Sequence, residues 1–280
     1  MIQQGTPRCV CVWRRLVAGP LPSWGAARTF SSDGPFRHIK PSFVQKKKHY
    51  NELLIFGDRR KLLEAAQDVL GSPRQRLPRP FWEILAKRCI QSAHLLEPLE
   101  LAITARAFDA HDVDLRADLD VYRPVAEQAR RRGGELPGLA VLVLAEVLPR
   151  RLPAEPELGE LLRSLGRRAA EVMWELSPAQ AVAVLSALTR GGVRDGALCS
   201  RVARKVALQL ERPGVLRVEE LAMAADAFAG QGHRDLRLLR GIAARVAALA
   251  PGGAVEERVA RSLAVLDVDG AEEEPSPSWP

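Results

Sequence analysis

Ser177-Pro178-Ala179-Gln180-Ala181-Val182-Ala183-Val184-Leu185-Ser186-Ala187-Leu188-Thr189-Arg190-Gly191-Gly192 decides how this chain is read. Ser177 is an N-cap, and Pro178 takes the first helical position, where its missing N–H costs nothing. Ala181, Val184, Leu185 and Leu188 then follow the i, i+3, i+4, i+7 spacing of a half-buried helix. Gly191-Gly192 stops it. A second amphipathic helix starts near Arg194, with Leu198, Val202, Val206 and Leu210 on one face. Two antiparallel helices joined by a glycine turn cannot cover both apolar faces alone, so they need neighbours of the same kind.

The chain supplies such neighbours. Aligned on the octet Ala-Val-Ala-Val-Leu-Ser-Ala-Leu (181–188) are Leu-Ala-Ile-Thr-Ala-Arg-Ala-Phe (101–108), Leu-Ala-Val-Leu-Val-Leu-Ala-Glu (139–146) and Leu-Ala-Met-Ala-Ala-Asp-Ala-Phe (221–228). In this alignment the seventh position is always Ala (Ala107, Ala145, Ala187, Ala227), and successive octets are offset by 38, 42 and 40 residues. A small residue recurring at one place on a helix lets the next helix approach closely. Self-similarity at this spacing is the mark of stacked helical hairpins. The expected fold is all-α: a right-handed α-solenoid of four to five antiparallel hairpins, with a period near 40 residues, over 97–266.

The first pair of the array is 98–111 with 115–132, which turns Val121, Tyr122 and Val125 inward and ends at Gly133-Gly134. Next come 136–148 with 158–174, the hairpin at 177–211, and 217–231 with 233–250. Residues 255–266 begin a further helix without a partner, which reads as a C-terminal cap. Ahead of the array, helical stretches at 53–70 and 81–92 make 51–96 a divergent first repeat or an N-terminal cap. Residues 33–50 read as a basic linker, and the acidic, Pro/Ser-rich stretch 267–280 as a disordered tail.

Residues 1–32 have the character of an import signal. They carry Arg8, Arg14, Arg15 and Arg28, no acid and scattered apolar residues, and Arg28-Thr29-Phe30-Ser31-Ser32 resembles a mitochondrial processing site. The mitochondrial matrix is the expected location, with the plastid as the alternative. This leader also explains the charge. Residues 1–50 hold nine Lys/Arg against one acid, so of the formal +7 nothing remains for 51–280, which comes to −1. Net charge therefore gives no ground for non-specific nucleic-acid binding by the helical body. No apolar run reaches the roughly 18 residues of a membrane span. Cys9 and Cys11 lie in the leader, and Cys89 and Cys199 stand singly in helical patterns, reading as buried small apolar residues; no disulfide or metal framework is visible.

Charge sorted by layer says more than the total. The first helices of the four pairs sum to −4 and the second helices to +6. Arg130, Arg131 and Arg132 close one second helix. Arg201, Arg204 and Lys205 lie on another beside Leu198, Val202 and Val206, while Arg237 and Arg240 lie opposite the stripe Leu239, Ile242, Val246, Leu249. These eight are the candidate RNA-binding residues, forming either a ridge that tracks phosphates or an ordinary solvated arginine face. Catalysis is not expected, because no phosphate-binding Gly-x-x-x-x-Gly-Lys, no Gly-x-Ser-x-Gly and no His/Glu metal spacing occurs. Gly133-Gly134, Gly191-Gly192 and Gly252-Gly253 serve helix ends. His111 and His233 lie at turns, where capping or solvent exposure is expected, and Trp174 reads as a hydrophobic plug in preference to a base-stacking ring. No cofactor and no metal are expected.

Octets 101–108, 181–188 and 221–228, behind such a leader, resemble organellar helical-hairpin repeat proteins: the octotricopeptide and heptatricopeptide proteins, the FAST-kinase-like proteins, and the helical subunits of the trypanosomatid RNA-editing substrate-binding complex. The likeness spans roughly 53–266. It implies a non-catalytic factor that binds organellar RNA (rRNA or mRNA) and acts in RNA processing, stability, translation or ribosome assembly. Mitochondrial ribosomal or RNA-processing proteins are the implied partners. Many members end in a RAP domain; here an acidic stretch follows Leu266, so activity tied to that module is not expected. Members place base-reading side chains on the first helix of each hairpin, but here that helix is Ala-rich and mildly acidic, which disfavours a one-repeat-one-base code. The alternative function is a protein-scaffolding solenoid, such as a structural subunit of a mitochondrial ribosome or another large complex.

Overall fold

Capping chemistry sets where the helices begin. The computed structural model of the chain describes residues 59–71, 77–112, 119–210, 212 and 215–270, all within the unit Phe43–Pro280. These residues are all-helical, with no strand among them. The helices are α1 (Arg59–Gly71), α2 (Arg79–Ser92), α3 (Pro98–Ala110), α4 (Tyr122–Arg131), α5 (Gly138–Arg151), α6 (Leu158–Glu171), α7 (Pro178–Arg190), α8 (Gly196–Leu210), α9 (Val218–Gln231), α10 (Leu236–Leu249) and α11 (Ala254–Gly270). The leader with Cys9 and Cys11, the linker with Lys46–Lys48, positions 53–58 and 115–118 of the expected helices, and residues 271–280 lie outside the described residues.

At the start of α7, Ser177 Oγ accepts from the N–H of Gln180 at 3.2 Å, and Gln180 Oε1 accepts from the N–H of Ser177 at 2.8 Å. This reciprocal box satisfies two of the backbone donors that every helix start leaves open. Glu97 and Glu100 repeat it on α3, and Glu220 Oε2 accepts from the N–H of Arg217 at 2.8 Å ahead of α9. Pro137 has no side chain able to cap α5. There Glu175, from the turn before α7, accepts from the N–H of Gly138 at 2.7 Å.

The four starts, Pro98, Gly138, Pro178 and Val218, are each 40 residues apart. Two residues ahead of each lies a buried leucine: Leu96, Leu136, Leu176 and Leu216. This corrects the alignment of one octet. The residues in register with 101–108 are Val141–Leu148, not 139–146, and Ala145 takes the fifth position beside Ala105, Leu185 and Ala225. Matching alanine to alanine had slipped the stretch by two. In the corrected register the eighth position is Phe108, Leu148, Leu188 and Phe228, each no more than 1% exposed.

The odd-numbered helices pack in sequence, α1 on α3, α3 on α5, α5 on α7, α7 on α9 and α9 on α11. Among the even-numbered ones, α4 packs on α6, α6 on α8 and α8 on α10, and each odd helix also packs on the even one that follows it. The core lies between these rows, where Leu144, Leu162, Leu165, Leu185 and Ile242 are fully buried. Each such side chain contributes about 1.5–3 kcal/mol by leaving water.

Several boundaries differ from expectation for identifiable reasons. α4 begins at Tyr122, not at 115, because Asp120 Oδ1 accepts from the N–H of Tyr122 at 2.9 Å and caps it there. Asp195 and Asp235 each accept a backbone N–H at 2.9 Å and start α8 and α10 a few residues late. α5 runs past Leu148 and through Pro149, its last turn held where Arg150 and Arg151 reach back to Asp109 at 2.8 and 3.0 Å. α6 stops at Glu171 and tightens into a 3-10 turn, Met173–Glu175, as the chain also does at Ala93–Leu95 and Gly133–Glu135. Gly133-Gly134 is thus part of a turn of helix. Gly192 has φ +74, so the glycine after α7 is needed for its left-handed backbone. α11 continues to Gly270, so 267–270 are helical instead of opening a disordered tail. Among the described residues no helix is long and apolar enough to cross a membrane.

Candidate nucleic-acid interface

The basic residues of the even-numbered helices divide into those spent inside the protein and those turned to solvent. Arg132 donates to the Leu96 carbonyl at 2.7 Å, Arg168 to the Leu136 carbonyl at 2.8 Å, and Lys205 to the carbonyls of Met173 (2.8 Å) and Leu176. Each bond ties the far end of α4, α6 or α8 to the chain just ahead of its partner α3, α5 or α7. Partial desolvation lowers the Lys205 ammonium from the ordinary lysine value. Arg132 is further bound to Glu135 at 2.6 Å. Arg132 and Lys205, expected on a phosphate ridge, are therefore clamps within the fold.

Three more of the eight candidates are engaged. Arg130 pairs with Glu157 across α4 and α6, Arg131 with Glu127 one turn earlier, and Arg201 donates to the Ala170 carbonyl at 3.1 Å. Arg204, Arg237 and Arg240 are exposed and carry no ion pair among the described residues. Arg163 and Arg167 on α6 share that condition, opposite the buried Leu161, Leu162 and Leu165; Glu160 shares their face. Sequence reasoning missed these two because the charges of the stretch 157–175 sum to −1. Most of its acids are consumed locally: Glu157 by Arg130, Glu171 by Arg168 at 2.9 Å, and Glu175 by the Gly138 N–H. The i, i+4 spacing of Arg163 and Arg167 opposite a leucine stripe was the available signal. α6, α8 and α10 lie side by side, so Arg163, Arg167, Arg204, Arg237 and Arg240 occupy the outer faces of three adjacent helices.

Next to this surface Trp174 is 80% exposed. It does not plug the core, because Met173, its neighbour in the 3-10 turn, takes the buried position. The histidines differ from expectation only in part. His111 is half-buried against Trp82, with Nε2 3.2 Å from the Val69 carbonyl, and His233 packs its ring on Phe228 with a buried Nε2 that has no partner. His111 is the C-cap residue of α3, and the His233 N–H bonds the Phe228 carbonyl at 2.9 Å at the end of α9, so both sit at helix ends as expected while their rings are drawn inward.

On the odd-numbered helices several charges are neutralised in place, although Arg190 and Arg261 are exposed without an ion pair among the described residues. Arg106 meets Glu146 at 3.4 Å, Asp109 holds Arg150 and Arg151, and Asp226 binds Arg258 and the Ser262 hydroxyl. Burial raises the Glu146 carboxyl, against the pull of Arg106. A cavity of about 350 Å³ beside Leu152–Pro156 is lined by Arg123 and Arg151, both already bound to acids. Cys89 and Cys199 are buried as expected, and burial pushes their thiols up to about 12 and about 11. Among the described residues no group of three His, Cys, Asp or Glu is placed to hold a metal ion. What the arrangement offers chemically is a set of uncommitted guanidiniums, which suit phosphate oxygens, and one exposed aromatic ring. No protein-family model matches the chain, and comparison with curated proteins finds no match.

Proposed function

We propose that this chain is a non-catalytic, RNA-binding right-handed α-solenoid of the mitochondrial matrix, acting on organellar RNA in processing, stability, translation or ribosome assembly. In this reading α1–α2, α3–α4, α5–α6, α7–α8 and α9–α10 are five hairpins repeating near 40 residues, and α11 covers the last of them. The in-sequence packing of the odd helices and of the even helices supports that architecture. One observation carries the function: Arg163, Arg167, Arg204, Arg237 and Arg240 on adjacent α6, α8 and α10 face solvent without an ion pair among the described residues, while Arg132, Arg168, Arg201 and Lys205 beside them bind backbone carbonyls. In a helical body whose charges nearly cancel, such a row has acids enough to pair with and yet is left unpaired, and a phosphate backbone is its natural counterion.

Ultraviolet crosslinking in isolated mitochondria tests the proposal, with RNA adducts expected on peptides that contain Arg163, Arg167, Arg204, Arg237 or Arg240. Protein adducts alone would overturn it in favour of the second reading, a protein scaffold such as a structural subunit of a mitochondrial ribosome or other large complex. Exposed Leu208 and Leu249 (68% and 46%) on the same row of helices favour that reading. Recovery of the chain from plastids would instead contradict the location.

A further inference from the structure

Trp174 occupies a position that the burial of apolar surface does not explain. An indole left 80% in water forgoes one of the largest hydrophobic gains available to a side chain. The backbone that carries the ring is also pinned. The Met173–Glu175 turn carries it, with Glu175 N–H bonded to the Val172 carbonyl at 2.9 Å and Leu176 N–H to the Met173 carbonyl at 3.3 Å. Met173 anchors the turn in the core, and Glu175 is pinned by the Gly138 N–H.

The basic face of α8 docks against this same turn. Lys205 binds the carbonyls of Met173 and Leu176, which bracket Trp174, and Arg201 binds the carbonyl of Ala170 at the end of α6. Those bonds neutralise the carbonyl-rich terminus that would otherwise repel an anion. They also dock α8, with Arg204 exposed and unpaired on the turn between Arg201 and Lys205, against the turn that carries Trp174. The acids on either side of Trp174 in sequence, Glu171 and Glu175, are engaged with Arg168 and the Gly138 N–H. An exposed aromatic ring on a pinned turn, with uncommitted guanidiniums on the helix docked against that turn, is the combination that single-stranded nucleic acid uses: bases stack on the ring and phosphates pair with the cations.

We propose that Trp174 is a base-stacking platform that takes one unpaired base of a single-stranded RNA whose backbone passes over Arg204. The inference rests on the RNA-binding reading above and deepens it by naming the strand type and the stacking residue. Stacking requires a base free of its partner, so a blunt duplex gains nothing from the indole.

The test uses the full chain, an unstructured RNA oligonucleotide of about 12 residues, and a blunt duplex of the same length, with affinities measured by filter binding. Trp174→Ala is expected to weaken single-strand binding by about 5- to 150-fold, with duplex binding unchanged. Trp174→Phe is expected to recover most of the loss. The melting temperature should stay in place, since the side chain is largely exposed. If Trp174→Ala binds the single strand like the wild type while Arg204→Glu and Arg237→Glu weaken it, the stacking platform falls and RNA binding stands. If the wild type binds neither RNA, both fall. An equal loss on duplex and single strand also overturns the stacking role.

Discussion

Lys205 and Arg204 are neighbours in sequence with opposite fates, and their difference is open to measurement. Lys205 spends its ammonium on two backbone carbonyls. Lys205→Met leaves those carbonyls short of a donor and is expected to cost about 1–2 kcal/mol at this half-exposed site, a fall of several degrees in melting temperature. Arg204→Ala is expected to leave melting unchanged while weakening RNA binding. A matched pair of melting curves checks the first statement and filter binding the second. Sequence periodicity puts both residues on the outer side of α8, and nothing in composition separates them. The difference arises from carbonyls about 30 positions away that the fold brings within reach. Glu146 offers a second check, through pH. Its folded-state carboxyl is raised by burial above the ordinary glutamate value, so the charged form is penalised in the fold. The contribution of Glu146 is thus favourable at low pH and is lost as the pH rises through its folded value. Glu146→Gln mimics the neutral form, so its stability relative to wild type should grow between pH 4 and pH 7 (roughly the window above the ordinary glutamate range) when denaturant midpoints are compared. A difference that stays flat or shrinks with pH contradicts this.

Between elements, the glycine with least room is Gly230, where α9 meets α7. A Cβ placed on Gly230 would meet Thr189 Cγ2, and Thr189 cannot simply turn away: its hydroxyl donates to the Leu185 carbonyl and accepts from Gln231, both at 2.8 Å. Gly230→Ala improves helix propensity by up to about 1 kcal/mol, yet the clash is expected to prevail with a net loss of about 1–3 kcal/mol. Thr189→Ser keeps the hydroxyl and removes the obstructing methyl, so the double variant should recover most of that loss in thermal denaturation. Absence of coupling between the two sites would place these helices further apart than described. Gln231 belongs to a set that no octet alignment revealed. His111 reaches the Val69 carbonyl, Arg151 reaches Asp109 and Gln231 reaches Thr189, each 42 residues back. The residue types differ while the placement repeats, so a search for similar residues passes over them. Helix existence, by contrast, was legible from apolar spacing and from Ser177-Pro178. Starts were legible on the odd-numbered helices, where the apolar register fixes them, and less so on α4, α8 and α10, where Asp120, Asp195 and Asp235 accept backbone N–H groups and set a later start than the charge and apolar pattern suggest.

Across the whole molecule, the sequence made the all-helical class readable because small and apolar residues return at one spacing through 97–266. The surface of unpaired arginines was half readable. Summing charge by layer pointed to the even-numbered helices but selected Arg130, Arg131, Arg132 and Lys205, which the fold consumes, and overlooked Arg163 and Arg167, hidden by acids that pair elsewhere. Net charge is blind to which partners are already taken. The proposed function depends on the five remaining guanidiniums acting together on one RNA backbone. Its most direct test is the salt dependence of binding to single-stranded RNA. If all five meet phosphates, log K should fall against log salt with a slope of about −3.5, at roughly −0.7 per phosphate. Replacing Arg204, Arg237 and Arg240 together by Ala should flatten that slope to about −1.4 on the same relation. Binding that is indifferent to salt, or a slope the triple replacement leaves untouched, contradicts an arginine surface that grips RNA.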